Sequence, residues 1–411
     1  MKGLQSPCAH RHTLCMGDSL GDVLRRARNA KRLSQGEVGR GIGYSGSWLS
    51  RVETGKIQPD RPALAALCGV LGLTAADVGL EGDDVHRRNV LTLGLGVGIA
   101  AVLPGAAAAA AVDPKELVER SLFRLPEARP TSRASLAAAL AEARTVFQEA
   151  QYSRLSRTLP SLISGSLASQ AHDIAARAYV LLAQLAIKNY QGPFAGIAAE
   201  RARAQAELTG NAVVMGEAAH SMGITLRRGG EYQAAIDHLR QAADRLGSRS
   251  DELAMRGTLM LTASYSAAQA GWRGQALELI GQAEETAERR ESAAQRLFIP
   301  GVFGQEQTKV FRISVHHALG EDDQALNHAE KIDPRRLPNA ERRGRMCMDV
   351  ARVWQGLGEP EKAFHALRAL ASYAPEEATR PKVRAIASEL LVMNPEMPGL
   401  RGFAQRIGAS V

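Results

Sequence analysis

The chain has 411 residues, enough for two or three domains with cores of their own. Apolar residues make up 45% and aromatics only 4%; with no sustained period-two alternation, this excludes a sheet-rich fold and points to an all-α one, since alanine and leucine lose little side-chain entropy in helices. A net charge of +8 favours a polyanionic partner, and the scatter of Cys8, Cys15, Cys68 and Cys347 excludes a disulfide framework and fits a reducing cytosol.

Residues 1–16 read as a disordered extension, with Met16 a second candidate start. Within it, CAHRHTLC sets Cys8, His10, His12 and Cys15 close enough to surround zinc. Their spacing matches no paired C-x2-C or H-x3-H arrangement, so no metal is expected.

Residues 17–82 carry the densest signal. Leu20, Val23, Leu24 and Ala27 recur at helical spacing, while Arg25, Arg26 and Arg28 read as a solvated face. Ser34 with Glu37 three residues on forms a capping box, starting a second helix that runs to about Gly41. GYS makes a turn, and Ser45 caps a third helix to about Thr54, which Gly55 ends in the left-handed conformation. Pro62 opens a fourth helix with Leu64, Leu67, Val70 and Leu71 as its buried stripe, and Thr74 caps a fifth. Two short helices joined by a tight turn, inside a five-helix module, make a helix-turn-helix. Gly39 and Gly41 weaken its first helix, each by roughly 0.5–1 kcal/mol relative to alanine.

The stretch LSQGEVGRGIGYSGSWLSRVETGKIQP resembles the phage-repressor-like XRE family of DNA-binding domains. Leu33, Ser34, Gln35, Glu37, Val38, Ile42 and Gly43 match in order, followed by Ser45, Leu49, Ser50, Val52, Glu53 and Gly55. The resemblance implies a lambda-repressor-like fold whose second motif helix lies in the major groove, its N-terminal residues at the base edges. Gly46, Ser47 and Arg51 then face the bases, and Gln35 clamps a phosphate. Arg51 is the side chain expected to bond a guanine bidentately. Ser45, Thr54 and Lys56 are expected on the DNA backbone. For Trp48 both a DNA-facing and a core position stay open, and Glu53 reads as structural. Gly46 removes a base-reading side chain, which shifts part of the specificity to DNA shape. Between residues 17 and 62, nine Lys/Arg face five Asp/Glu. That excess is modest, so a homodimer on a pseudo-palindromic double-stranded operator is expected.

Residues 83–114 form an apolar linker, HRRNVLTLGLGVGIAAVLPGAAAAAAV at its centre. Val90 to Val112 is 23 residues without a charge, long enough to span a bilayer, and follows Arg87 and Arg88. Eight alanines, four glycines and Pro104 make the run weakly hydrophobic. A buried interdomain or dimer-contact helix is the expectation; a membrane tether and an export signal are the alternatives. GLGVG within it lacks the preceding strand that a dinucleotide site needs, and no cofactor is expected.

From residue 115 to 411 the pattern gives about fourteen helices and no strands, organised as repeats. GGEYQAAIDHLRQA, GWRGQALELIGQA, GEDDQALNHAEK and GEPEKAFHALRAL share a glycine followed five residues later by an alanine. The pairs are Gly230 with Ala235, Gly271 with Ala276, Gly320 with Ala325, and Gly358 with Ala363. These units resemble tetratricopeptide repeats, although spacings of 41, 49 and 38 residues exceed the family's usual length of about 34. Two degenerate hairpins precede them. Such a stack makes a superhelix whose concave face suits a peptide or protein, or else serves as a dimerisation arm. The scattered histidines form no catalytic set, and His316 and His317 point about 100° apart on one helix. The whole reads as a cytoplasmic, sequence-specific transcriptional regulator and not an enzyme, its repeats sensing a peptide or protein. The alternative is a scaffolding adaptor tethered to a membrane through residues 90–112.

Overall fold

The computed structural model describes residues 19–42, 44, 46–55, 59, 61–73, 114–288, 295–298 and 302–409. They fall into two compact units, one within residues 1–109 and the other within 110–411. The Cys8–Cys15 stretch, the fifth helix expected after Thr74 and the apolar run 90–112 lie outside the described residues. Among the described residues, no helix is long and apolar enough to cross a membrane.

Four described helices build the first unit: α1 (Leu20–Ala30), α2 (Gln35–Gly41), α3 (Gly46–Glu53) and α4 (Arg61–Leu71). The capping box forms as its spacing predicts. Ser34 Oγ accepts from the Glu37 N–H (3.2 Å), and the Glu37 carboxylate accepts from the Ser34 N–H (2.7 Å). Gly55 stands at φ +70° beyond α3. Leu24, Val38, Leu49 and Leu67 are wholly buried and join the four helices in one core. Of the α4 stripe, Leu64, Leu67 and Leu71 are buried and Val70 is half-buried.

Sixteen described α-helices build the second unit. The first six are α5 (Pro114–Phe123), α6 (Arg133–Gln148), α7 (Tyr152–Ala168), α8 (His172–Lys188), α9 (Gly192–Glu207) and α10 (Ala212–Arg228). Then come α11 (Tyr232–Asp244), α12 (Ser250–Gln269), α13 (Arg273–Glu288), α14 (Gln305–Ala318) and α15 (Asp322–Ala329). The array ends with α16 (Ala340–Gly356), α17 (Pro360–Tyr373), α18 (Pro375–Ala378), α19 (Pro381–Met393) and α20 (Leu400–Ile407). The fold is all-α, a helix-turn-helix followed by a solenoid of tetratricopeptide-like hairpins. The expectation of no strands is corrected by a two-residue ladder, β1 (Gln295–Arg296) with β2 (Val302–Phe303), paired antiparallel.

The glycine signature has a physical cause. Gly230, Gly271, Gly320 and Gly358 all stand at φ between +76° and +85°, closing α10–α11, α12–α13, α14–α15 and α16–α17. The alanine five residues on is 0% exposed each time, because the two helices of a hairpin approach closest there. The earlier hairpins α6–α7 and α8–α9 use the same turn without the glycine. Ala150 and Tyr190 take its place at φ +56° and +58°, and Leu155 and Ala195 are the buried residues five on. Side chains in that region cost roughly 1–2 kcal/mol. For Tyr190 the ring beneath the Arg228 guanidinium, at 4.9 Å, offsets part of it.

The long 49-residue spacing is an insertion between α13 and α14. Its Phe303 ring sits where a Cβ on Gly257 of α12 would be, 2.0 Å from the ring's Cζ. Phe298 lies between the guanidinium groups of Arg144 (5.7 Å) and Arg177 (5.6 Å), and its N–H donates to Glu217 (3.3 Å). His316 and His317 bond different carboxylates across the next turn, Glu321 (2.7 Å) and Asp322 (2.6 Å).

Helix α8 is apolar on almost every side, with Leu181, Leu182 and Leu185 fully buried. A helix of that kind belongs at a centre, and α6, α7, α9 and α10 surround it. The superhelix also closes on itself. Lys188 at the end of α8 donates to Glu341 of α16 (2.8 Å) and to Glu377 of α18, while Arg380 bonds both Glu377 (2.5 Å) and the Lys188 carbonyl (3.2 Å). Tyr152 of α7 donates to the same Glu377.

Candidate nucleic-acid interface

The α2–turn–α3 pair is held by one buried carboxylate. Glu53, 2% exposed at the end of α3, accepts from Arg28 of α1 through Nε (2.5 Å) and Nη2 (3.0 Å). Gln35 Nε2 of α2 donates to the same group (2.8 Å), and Arg25 Nη2 donates to the Glu53 carbonyl (2.6 Å). Donation to Glu53 holds the Arg28 guanidinium above its ordinary range, against partial burial. Arg25 and Arg28 were expected on a solvated face. Both instead tie α1 to α3, because a buried carboxylate needs charged donors; Arg26 alone of the three is exposed.

The turn brings the N-termini of α2 and α3 very close. A Cβ on Gly46 would stand 3.0 Å from the Gly36 Cα and N. Gly46, which carries no base-reading side chain, is therefore also the residue that lets the two helices meet. Tyr44 in the turn stacks on Trp48 with ring centroids 3.9 Å apart.

A family model for a helix-turn-helix domain matches residues 19–79. The first unit is a helix-turn-helix domain. Among solved structures, PlcR of Bacillus thuringiensis in complex with the peptide PapR7 and DNA matches 85% of this chain and 98% of its own, at 12% identity and a TM-score of 0.34. No curated protein matches the sequence.

Within the helix-turn-helix domain the expected contact residues divide. Arg51 is half-buried on α3, outside the apolar core, and Thr54 is exposed beyond its end. The Thr54 hydroxyl donates back to the Ser50 carbonyl (2.9 Å), with the Arg51 carbonyl 3.2 Å away. Gln35 has one amide hydrogen on Glu53, which fixes the orientation of its side chain. Of the two positions open to Trp48, the structure shows the core: the indole is 6% exposed and packs with Leu49 and Val52, so its ring is removed from the contact set. Ser45, Lys56 and the side chain of Ser47 lie outside the described residues. The Glu53 clamp was half legible. Its acid was read as structural, but its arginine partners lie 25 and 28 positions away on another helix.

Proposed function

We propose that the protein is a cytosolic transcriptional regulator that binds operator DNA as a homodimer and answers to a peptide or protein effector on its repeat domain. Helix α3 enters the major groove, Arg51 bonds a guanine edge, and Gln35, Ser45, Thr54 and Lys56 hold phosphates. Gly46 and Ser47 lie at the groove floor, where the small residues admit a close backbone approach. The observation that carries this reading is the Glu53 clamp, which fixes α3 rigidly against α1 and α2 while leaving Arg51 outside the core. A preformed recognition helix binds without a further ordering cost. The effector acts by changing the separation of the two recognition helices, which must span about 34 Å to reach successive major grooves.

Fluorescence anisotropy with the full chain and an operator selected from random duplexes tests the reading. Saturable binding that weakens steeply with salt supports it. Binding equal on selected and scrambled duplexes contradicts it.

A further inference from the structure

Side chains from α10, α12, α14, α16 and α19 meet around Tyr265, inside the second unit. The Arg227 guanidinium lies 4.5 Å from the Tyr265 ring centroid and that of Arg345 5.9 Å, while Arg352 Nη1 is 3.5 Å from the phenol oxygen. These groups are spread from residue 227 to residue 352. Only the inner side of a superhelix brings corresponding faces of successive hairpins together in this way.

Cations outnumber carboxylates here. Asp349 is buried and accepts from Arg345 (3.0 Å) and Ser314 (2.5 Å), with Arg352 at 3.7 Å. Glu389 accepts from Gln355 (2.6 Å). Among the described residues the Arg227 guanidinium has no carboxylate partner and donates to the amide oxygen of Gln269 (2.8 Å); it is 9% exposed, and its Nε makes no hydrogen bond there. Arg228 bonds the Ile187 carbonyl (2.6 Å), and Lys382 makes no hydrogen bond or ion pair among the described residues. The surroundings register the imbalance. Burial pushes the Tyr265 phenol up, but Arg352, Arg345 and Arg227 overcome it and bring it down to about 8. Burial, reinforced by Arg352, lowers the Lys382 ammonium to about 8. Arg228 keeps solvent contact, yet the protein packed round it lowers its guanidinium to about 10.

Unpaired cations in such a place are costly to the fold by themselves. We propose that this basin binds an oxyanion, a carboxylate or a phosphate, carried by the effector of the repeat domain; the effector role rests on the regulator reading above. Planar guanidinium groups supply paired donors to either oxyanion, and Lys382 supplies a point charge.

The Tyr265 phenol reports occupancy directly. Its titration is followed in the full chain by ultraviolet difference absorbance, with Tyr265→Phe as the blank, against citrate, pyrophosphate, or chloride at equal ionic strength. An oxyanion seated among the guanidinium groups raises the phenol toward its ordinary value of 10. The arm that saturates at lower concentration names the source. Lys382→Met, which breaks no bond of the fold, weakens the response about tenfold, the loss of one charge-assisted contact. Arg227→Gln does the same, with circular dichroism confirming that both variants are folded. The proposal is overturned if neither oxyanion moves the phenol more than chloride does, or if Lys382→Met responds like the wild type. Operator affinity measured in the same solutions separates the two readings. A saturable phenol shift with unchanged operator binding removes the regulatory role and leaves the basin. Operator release without a phenol shift overturns the basin and leaves the regulator.

Discussion

Glu53 stands at the junction of three helices, and its removal tests whether the recognition helix is prebuilt. Glu53→Gln leaves Arg28 buried against a neutral amide, a loss of about 3–5 kcal/mol by the usual cost of breaking a buried pair. Urea unfolding of the full chain checks it: the first transition moves to lower denaturant and operator affinity falls with it. Arg51→Ala belongs to another class. It costs about 1–3 kcal/mol of operator binding and relaxes the preference at one base pair. Selection of bound sequences by the variant measures this, and uniform weakening on every duplex would make Arg51 a phosphate contact. The core of this domain, the Ser34–Glu37 cap and the Gly55 stop were legible because periodicity and capping are local. The packing role of Gly46 was not legible, since no local pattern reveals that Gly36 lies 3.0 Å from its missing Cβ.

At the scale of the helical hairpin, one backbone position decides the turn. Gln170, between α7 and α8, is exposed and held at φ +53°, whereas Gly271 stands at φ +81° with open space round it. Gln170→Gly therefore stabilises the chain by about 1 kcal/mol, and Gly271→Ala destabilises it by a similar amount. Thermal melting of the pair, with opposite shifts of midpoint, checks this. Four of these turns were plain in the sequence because glycine marks them. The turns at Ala150 and Tyr190 were only degenerate signals, since there the chain tolerates strain instead of avoiding it. The ladder of β1 and β2 was missed because two-residue strands carry no periodicity.

Across the whole molecule, long-range polar closure carries features that no sequence window contains. Lys188, Glu341 and Glu377 come from the middle and the end of the chain. Lys188→Met leaves two buried carboxylates facing each other and costs about 3–5 kcal/mol, read as a lower unfolding midpoint. Acid acts on the same interior. Burial lowers the His220 imidazole from 6.5 to about 3, so the fold keeps it neutral while the unfolded chain takes up a proton below 6.5. The contribution of His220 is complete above pH 6.5 and is lost as the pH drops from there to about 3, with a limiting slope near 1.4 kcal/mol per pH unit for one proton. Arg345 and Arg352 hold the Asp349 carboxyl below its ordinary 3.8 despite burial, so its contribution is lost only at lower pH. Burial also lowers His238 and His328, so the comparison of wild type with His220→Gln isolates this histidine: denaturant midpoints between pH 6.5 and 4.5 fall less steeply in the variant.

Whether helix α3 reads DNA in a dimer is decided by genome-wide mapping of bound sites for the wild type and Arg51→Ala. The expected outcome is discrete wild-type sites sharing a pseudo-palindrome, half-sites about 10 base pairs apart or a multiple of that, and loss or redistribution of those sites in the variant. Diffuse occupancy without a shared motif, or identical maps for the two proteins, would contradict it.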